Sequence, residues 1–363
     1  MKIAQVTHNY LPHIGGIEFY VYRLTRDLER EGNFVNILTT DLNTEKQNRE
    51  KNAIYFKAFP NFMRNPFSFG LLRHLLRESY NVIHIHSIWF LPGLISVLFR
   101  KKSKIITTIH GVYPDKTNLL LKTFLKIYKP LANFVLKKSD IIIVLSSSEK
   151  NKLVKIFSID TNKVRVIPNG IDLGSPKKLK KEKIILFTGR IIHDKNPEVL
   201  IKATSIVNRE YKHLSVIFVG PIELEYKIKL KKLINNLGLD SKVRFLPPLS
   251  INERNKLLEI YERSFVFVSL GDWEGLPTRL MEAMQFEVPC ITYSSGGSSE
   301  LIKDRHNGLV IHSLDEKLLA SKIVYLLKNQ RIARKLGKNA RITVLKRFNW
   351  HIIFRDIYKL YQQ

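Results

Sequence analysis

The sequence predicts an α/β fold built as two doubly wound, parallel-sheet domains, and three observations carry that prediction. Short β-branched apolar runs alternate with longer amphipathic stretches along nearly the whole chain. The alternation stops once, near residue 175, in turn residues and a lysine-rich connector. It then restarts with the same rhythm. At 363 residues the chain exceeds the roughly 100–200 residues of one average domain, which agrees with two.

In the first half, residues 3–7, 34–39, 82–86, 104–110, 141–145 and 164–167 read as strands buried on both faces, being short and almost continuously apolar. Between the first two, residues 17–30 set Ile17, Tyr20, Val21, Leu24 and Leu28 at helical spacing, with most charges on the other side. Pro168-Asn169-Gly170-Ile171-Asp172 is turn chemistry, and 175–183 is dominated by lysine, as solvated connectors are. The second half reads 183–188, 214–219, 242–246, 265–269, 289–293 and 309–312 as strands, with helical patterns over 197–208, 224–237 and 253–262. Strand–helix–strand alternation covers each sheet with helices on both faces. The expected organisation is a Rossmann-like domain over 1–174, a linker over 175–183, and a second Rossmann-like domain over 184–346. A last amphipathic segment, 347–363, is compatible both with capping the second domain and with crossing back to the first.

Composition bounds the function classes. Hydrophobic residues make up 44% and charged residues 25% of the chain, the balance of a globular protein and not of a disordered one. The single cysteine, Cys290, excludes an intrachain disulfide. It lies in Val288-Pro289-Cys290-Ile291 and reads as a small buried hydrophobe, not a nucleophile. Met1-Lys2 runs straight into the first strand, so no secretory leader is expected. The most apolar region, 82–99, is broken by His84, His86, Pro92 and Gly93, whereas a spanning helix needs about 20 mostly apolar residues. A cytoplasmic protein is expected, free in solution or resting on the inner face of a membrane. The net charge of +28 predicts an anionic partner, such as lipid or a phosphorylated substrate. No zinc-finger spacing or RNA-binding strand signature accompanies it, so nucleic acid is not expected.

Open α/β sheets bind ligands at the carboxyl ends of their strands, and two such domains facing each other make a cleft there. After the strand at 265–269 comes Leu270-Gly271-Asp272-Trp273-Glu274-Gly275-Leu276-Pro277-Thr278-Arg279-Leu280-Met281-Glu282-Ala283-Met284. Pro277 suits a first helical position. The N–H groups of Gly275, Leu276 and Thr278 would then face the cleft and suit phosphate or sugar oxygens. Glu274 falls in the loop and Glu282 more than a turn into the helix, and carboxylates accept paired hydrogen bonds from sugar or ribose diols. A loop carboxylate and a solvated helix face fit these two residues equally well. Arg190 ends Thr188-Gly189-Arg190 and Lys195 follows, so two cations beside a strand end and a helix start suit a pyrophosphate leaving group, although two surface cations of a lysine-rich chain are the readier reading of the residues alone. Gly15 and Gly16 join the first strand to the first helix, where glycine lets backbone approach a ligand; an ordinary turn fits them too. His84 and His86 are two apart on a strand and share a face. His86, nearer the strand end, is the candidate for the cleft, and His84 reads as structural.

With these residues in hand, 274–282 resembles the E-x7-E motif of the retaining GT-B glycosyltransferases often called family 4. The surrounding Glu-Gly-Leu-Pro-x-x-Leu-Met-Glu-Ala-Met is a close match. The resemblance spans nearly the whole chain and is strongest over 183–312. It implies the GT-B fold, two Rossmann-like parallel-sheet domains facing across a cleft. It also implies that Glu274 lies by the donor sugar and that Glu282 binds the nucleotide ribose. Through the family's G-R-x(n)-K pattern it gives Arg190 and Lys195 the donor pyrophosphate. Through its glycine-rich loop it sets Gly15 and Gly16 near the donor phosphates. His110 matches the T-x-H-G element, which implies a contact with the donor sugar or a part in handling the acceptor proton; a satisfied structural histidine is the other reading. Asn169-Gly170-Ile171-Asp172 matches N-G-[IV]-D at the domain junction. Gly296-Gly297-Ser298-Ser299-Glu300 resembles the donor-side G-G-x-x-E loop, which brings Glu300 to the ligand. A helix start with Ser298 as its cap and Glu300 in the first turn is the other reading. Two departures stand out: Glu287 where the family often has a small residue, and Ser299 where proline commonly precedes the glutamate.

The first domain of such enzymes generally reads the acceptor. Here 118–138 mixes Leu119-Leu120-Leu121, Phe124-Leu125, Ile127-Tyr128 and Phe134-Val135-Leu136 with Lys122, Lys126, Lys129, Lys137 and Lys138. A basic amphipathic helix of this kind lies in a membrane interface or simply covers a sheet. The expected activity is transfer of a hexosyl unit, with retained configuration, from a UDP- or GDP-sugar to a hydroxyl of a cell-envelope glycan or glycolipid. No Asp-x-Asp cluster appears, so neither a metal nor another cofactor is expected. A GT-B phosphorylase or epimerase is the rival enzyme, marked by phosphate dependence or by product formed without an acceptor. A non-catalytic sugar-nucleotide-binding subunit is the rival outside enzymes; the intact Glu274, Glu282, Arg190 and Lys195 argue against it. A dinucleotide oxidoreductase lacks its G-x-G-x-x-G here.

Overall fold

Isoleucine- and valine-rich runs that are buried along their whole length form the central strands of two parallel sheets. The structure, a computed structural model, describes residues 1–12, 15–42, 49–62, 65–111, 119–177, 179–249 and 253–363, with backbone alone at 60–62 and 119–122. His13 and Ile14 of the glycine loop, Asn118 of the basic stretch and Lys178 of the connector lie outside the described residues.

The chain divides into two units, Met1–Asn169 with His351–Gln363, and Gly170–Trp350. In the first unit the order is β1 (Lys2–Val6), α1 (Gly16–Arg30), β2 (Phe34–Thr40), β3 (Ala53–Phe56), a hairpin of β4 (Phe59–Phe62) and β5 (Asn65–Phe67), then α2 (Phe69–Arg77). It continues with β6 (Val82–His86), α3 (Leu91–Leu98), β7 (Lys104–Ile109), α4 (Leu119–Lys138), β8 (Ile141–Val144), α5 (Ser147–Ile156) and β9 (Val164–Val166). The sheet order is β3-β2-β1-β6-β7-β8-β9, and every pairing in it is parallel. His110 lies one residue beyond β7 instead of ending it.

The second unit runs β10 (Ile184–Thr188), α6 (Pro197–Asn208), β11 (Ser215–Val219), α7 (Leu224–Asn236), β12 (Val243–Leu246), α8 (Arg254–Arg263) and β13 (Val266–Ser269). Then come α9 (Thr278–Gln285), β14 (Cys290–Tyr293), α10 (Ser298–Leu301), β15 (Leu309–Ile311), α11 (Glu316–Lys328) and α12 (Gln330–Arg347). Its sheet order is β12-β11-β10-β13-β14-β15, again all parallel. Cys290 is fully buried on β14. In both sheets the strand order reverses once, between β1 and β6 and between β10 and β13. Such switch points are where open α/β sheets leave a crevice for ligand.

The last helix, α13 (Trp350–Gln362), belongs with the first unit from His351 onward. Trp350, Ile353, Phe354, Ile357, Leu360 and Tyr361 recur at helical spacing and are buried. Each large apolar side chain so buried contributes roughly 1.5–3 kcal/mol. The Lys104 ammonium also donates to the carbonyl of Leu360 at 2.7 Å, anchoring the helix end beside β7.

The two faces of the first sheet differ. Ala4, Val6, Ile83, Ile85, Ile105 and Ile109 belong to an apolar core. Gln5 pairs in register with His84, and His86 with Thr108. These four therefore share the opposite face, and all are buried. Among the described residues, no helix is long and apolar enough to cross a membrane.

Candidate functional site

At the switch point of the second sheet, two loops meet. The one after β10 ends at Asn196, which sits in the left-handed region (φ 52°) and precedes Pro197, the first residue of α6. Its amide donates to the Leu270 carbonyl at 2.8 Å and to Asp272 Oδ1 at 2.9 Å. The Asp272 N–H donates to the Asp194 carbonyl at 2.9 Å. With the loops so fastened, Lys195 forms an ion pair with Glu274 Oε1. Their side chains keep 20% and 23% exposure, so both are open to a ligand. Gly271 makes this possible: a Cβ there would stand 2.8 Å from Glu274 Oε1 and 3.2 Å from Lys195 Nζ.

The loop carrying Gly296 and Gly297 braces the same place from behind. Its Gly297 N–H donates to the Glu274 carbonyl at 2.7 Å, and the Ser295 hydroxyl donates to the Gly271 carbonyl at 2.6 Å. A Cβ at Gly297 would come within 1.9 Å of the Gly275 carbonyl oxygen, so backbone packs directly on backbone. Glu300 follows in the first turn of α10 and is half-buried. Ser298 is not a side-chain cap there; its hydroxyl donates to the Tyr293 carbonyl at 2.9 Å.

Pro277 stands one position earlier than its chemistry suggested. Its backbone is extended (ψ 102°), making it the N-cap, and α9 begins at Thr278. Among the described residues, the amides of Gly275, Leu276 and Thr278 donate to no other group, as four orphan N–H groups at a helix start allow. Arg190 is exposed one residue past Gly189 and makes no hydrogen bond or ion pair among the described residues.

Glu282 is set differently from Glu274. Only 5% of its side chain is exposed. Its Oε1 accepts from Arg254 at 3.2 Å, and its Oε2 from Arg279 at 2.9 Å and from the Tyr261 hydroxyl at 3.0 Å. Burial pushes its pKa up, but the two guanidinium groups outweigh this and hold the carboxyl below its usual range.

In the first unit, Gly15 is the N-cap of α1. The Glu18 carboxylate folds back over it, so a Cβ at Gly15 would lie 2.3 Å from Glu18 Oε2, whereas Gly16 faces open space. An anion approaching this helix start meets Glu18 first.

His86 and His110 come together at the carboxyl end of β6, with Nδ1 of His86 3.3 Å from Nε2 of His110. His86 Nε2 bonds Gln5 Oε1 at 2.6 Å, and the Gln5 amide donates to the Tyr361 hydroxyl at 2.9 Å. That hydroxyl is also 2.5 Å from His84 Nδ1, whose Nε2 lies 2.7 Å from Thr108 Oγ1. Tyr20 places its ring edge-on to His86 and His110 at 5.7 and 4.9 Å between centroids. Burial pushes His84 and His110 down to about 3 and His86 well below its usual value, so all three are neutral imidazoles.

Among the described residues, no three His, Cys, Asp or Glu side chains are grouped to hold a metal ion. The structure thus brings Lys195, Glu274 and the amides of 275, 276 and 278 into one place, with Glu282 further along α9 in a separate ionic cluster. Gly15, Gly16, His86 and His110 belong to the first unit. Sequence reasoning missed Asn196, Gly271, Ser295, Arg254, Arg279, Gln5 and Tyr361. A glutamine inside the buried strand Lys-Ile-Ala-Gln-Val and an arginine three residues before Glu282 were the available signals.

Known proteins match across the whole chain. A family model described as glycosyl transferases group 1 matches residues 172–343, and one described as glycosyltransferase family 4 matches 14–175. An Escherichia coli relative, UDP-Gal:alpha-D-GlcNAc-diphosphoundecaprenol alpha-1,3-galactosyltransferase, is 28% identical over 77% of this chain and 74% of its own. A Campylobacter jejuni alpha-1,4-N-acetyl-D-galactosaminyltransferase, whose named substrate is a diNAcBac-PP-undecaprenol glycan, is 31% identical over 60% of this chain and 58% of its own. The solved structure of Anabaena Alr3699/HepE in complex with UDP superimposes with a TM-score of 0.83 over 99% of each chain at 16% identity. This likeness fixes the fold as GT-B.

Proposed function

The chain belongs to the group 1 glycosyltransferases, and from that premise we propose that it transfers a hexosyl unit from a UDP- or GDP-sugar to a hydroxyl acceptor, with retained configuration. The observation that carries the reading is the Lys195–Glu274 pair, half-open at the switch point of the second sheet and beside the unengaged amides of Gly275, Leu276 and Thr278. Lys195 and Arg190 supply cations for the departing diphosphate, and the amides add oriented dipoles. Glu274 then turns from Lys195 toward hydroxyls of the donor sugar. Glu282 receives the ribose diol, which requires Arg254 or Arg279 to give way, since three of its roughly four acceptor sites are taken. Retention needs either two inversions or entry of the acceptor on the face that the diphosphate leaves. Glu274, engaged by hydroxyls of the sugar, is a weak nucleophile, which favours the second route. His110 takes a hydrogen bond from the sugar or the acceptor, Gly15 and Gly16 open the first unit's loop to the phosphates once the Glu18 carboxylate turns aside, and Glu300 flanks the donor. No cofactor or metal takes part, so a chelator leaves the rate unchanged.

The acceptor we infer is a cell-envelope glycan or glycolipid; the acceptors named for the Escherichia coli and Campylobacter relatives are sugars carried on diphosphoundecaprenol. The protein then works at the inner face of the cell membrane. The +28 charge and α4 support this: Ile127 and Leu131 are 72% and 39% exposed among the exposed Lys126, Lys129, Lys137 and Lys138. Binding to anionic but not zwitterionic vesicles, lost at high salt, is the expected result.

The central test incubates the protein with a panel of nucleotide sugars, reads thermal stabilisation and then measures release of nucleoside diphosphate. If no donor releases its diphosphate, and Glu274→Ala behaves as the parent does, the reading is wrong.

A further inference from the structure

We propose that Gln5 and Tyr361 are positioning residues that fix which nitrogen of His110 carries its proton, leaving Nδ1 a bare acceptor. The inference rests on the reading that His110 serves the transferred sugar or the acceptor. Its own content is the direction of a buried hydrogen-bond chain.

That chain has six members, and five of them (Gln5, His84, His86, Thr108 and Tyr361) are at most 3% exposed, so each proton must be placed within the set. The direction starts at Gln5, whose two ends differ: the amide nitrogen only donates and the carbonyl only accepts. The nitrogen donates to the Tyr361 oxygen at 2.9 Å. The carbonyl, 2.6 Å from His86 Nε2, therefore receives a proton from that nitrogen. A neutral imidazole has one N–H, so His86 Nδ1 is bare. His110 Nε2, 3.3 Å away, is then the donor to it, and Nδ1 of His110 is left without a proton. On the other arm the Tyr361 hydroxyl, accepting from Gln5, gives its hydrogen to His84 Nδ1 at 2.5 Å. His84 Nε2 in turn donates to Thr108 at 2.7 Å. Donation thus runs one way from His110 through His86, Gln5, Tyr361 and His84 to Thr108.

Turning the Gln5 amide over reverses every donor and moves the His110 proton to Nδ1. Tyr361 couples the two arms, because α13 seats its hydroxyl against Gln5 and His84 together, so Gln5 cannot turn without His84 also moving its proton. His110 accordingly presents a lone pair, suited to accept from a sugar or acceptor hydroxyl and unsuited to bind phosphate.

The test uses full-length protein labelled with ¹⁵N-histidine and needs no substrate. Imidazole ¹⁵N shifts should show His86 and His110 neutral and protonated on Nε2 from pH 5 to 8. In Tyr361→Phe, which removes only the hydroxyl, His110 should populate both tautomers. Turnover, read as UDP release from UDP-glucose and UDP-galactose, should fall roughly tenfold with KM within about twofold, less than the roughly 100- to 10,000-fold that a positioned proton-transfer group contributes, since His110 itself remains. Gln5→Leu, which leaves the helix hydroxyl in place, gives the same readout should the first variant loosen α13. A proton on Nδ1 of His110 in the parent, or a single Nε2–H tautomer surviving both substitutions, overturns the proposal. Full activity in His110→Ala overturns the catalytic reading instead, while leaving the tautomer result to stand.

Discussion

The two sheets reverse their strand order at equivalent places and furnish the reversal in opposite ways. Beside β10 and β13 the polar groups are ions: Lys195 with Glu274, and Glu282 between Arg254 and Arg279. Beside β1 and β6 the buried hydrogen-bond chain is neutral: glutamine, imidazole, hydroxyl and phenol. Ion pairs are held by attraction that an incoming phosphate or carboxylate-binding diol can replace, so this kind of site reorganises around a charged ligand. A neutral chain in a dry interior is held by direction, because Gln5 has a fixed donor end and a fixed acceptor end that the imidazoles and hydroxyls must follow. One site is built to exchange partners and the other to keep them.

The largest expected effect concerns acid. His84 and His86 are neutral when folded, whereas unfolded histidine protonates near pH 6.5. The stability they secure is complete above about 6.5 and is lost as pH falls toward the folded value, about 3 for His84. Each contributes a slope of about 1.4 kcal/mol per pH unit, so His84 alone amounts to roughly 5 kcal/mol across that window. Urea titrations between pH 7 and 4 should show this slope, and His84→Asn should flatten it. An equally steep limb in that variant would break the contrast.

Next, Lys195→Ala should lower kcat for diphosphate release about 100-fold, or roughly 2.7 kcal/mol, with little change in melting. A fall in stability without a fall in rate would make the pair structural. Glu282→Gln leaves two guanidinium groups facing an amide. Since Arg279 is 40% exposed, solvent screens part of the loss, and about 2 kcal/mol in denaturant midpoint is expected. The smallest effect is a control outside both networks. Glu287 follows α9 with φ 57°, the left-handed position that favours glycine. Glu287→Gly should stabilise the second unit by about 1 kcal/mol, seen as a raised midpoint, and leave activity as it was.

Much of the fold was legible because buried parallel strands are near-continuous apolar runs, as in Ile141–Val144 or Ile184–Thr188. The edge strand Ala53–Phe56 is half-buried along its length and lacks that signature, so it was not. Of the candidate site, the segment 270–284 was readable because loop, N-cap and carboxylates are contiguous. The loop at 296–297 was readable as glycines, but not its purpose, since nothing local says that it packs on Glu274. Glu287 drew notice as a departure, and its backbone angle supplies the reason a small residue suits that position. Gln5 and Tyr361 were out of reach: their hydrogen bond spans 356 positions, and each looks ordinary among its neighbours.

That separation has a consequence for the birth of the protein. Domains fold as they leave the ribosome, at about 5–20 residues per second. The first sheet is fully translated by Val166, yet the hydroxyl that closes its polar chain arrives with Tyr361, on the order of 10–40 seconds later. Through that interval Gln5 and His84 lack a partner that the finished molecule supplies. The hydrogen-bond chain of the first unit is therefore completed only when the second unit has been made and α13 has returned to it.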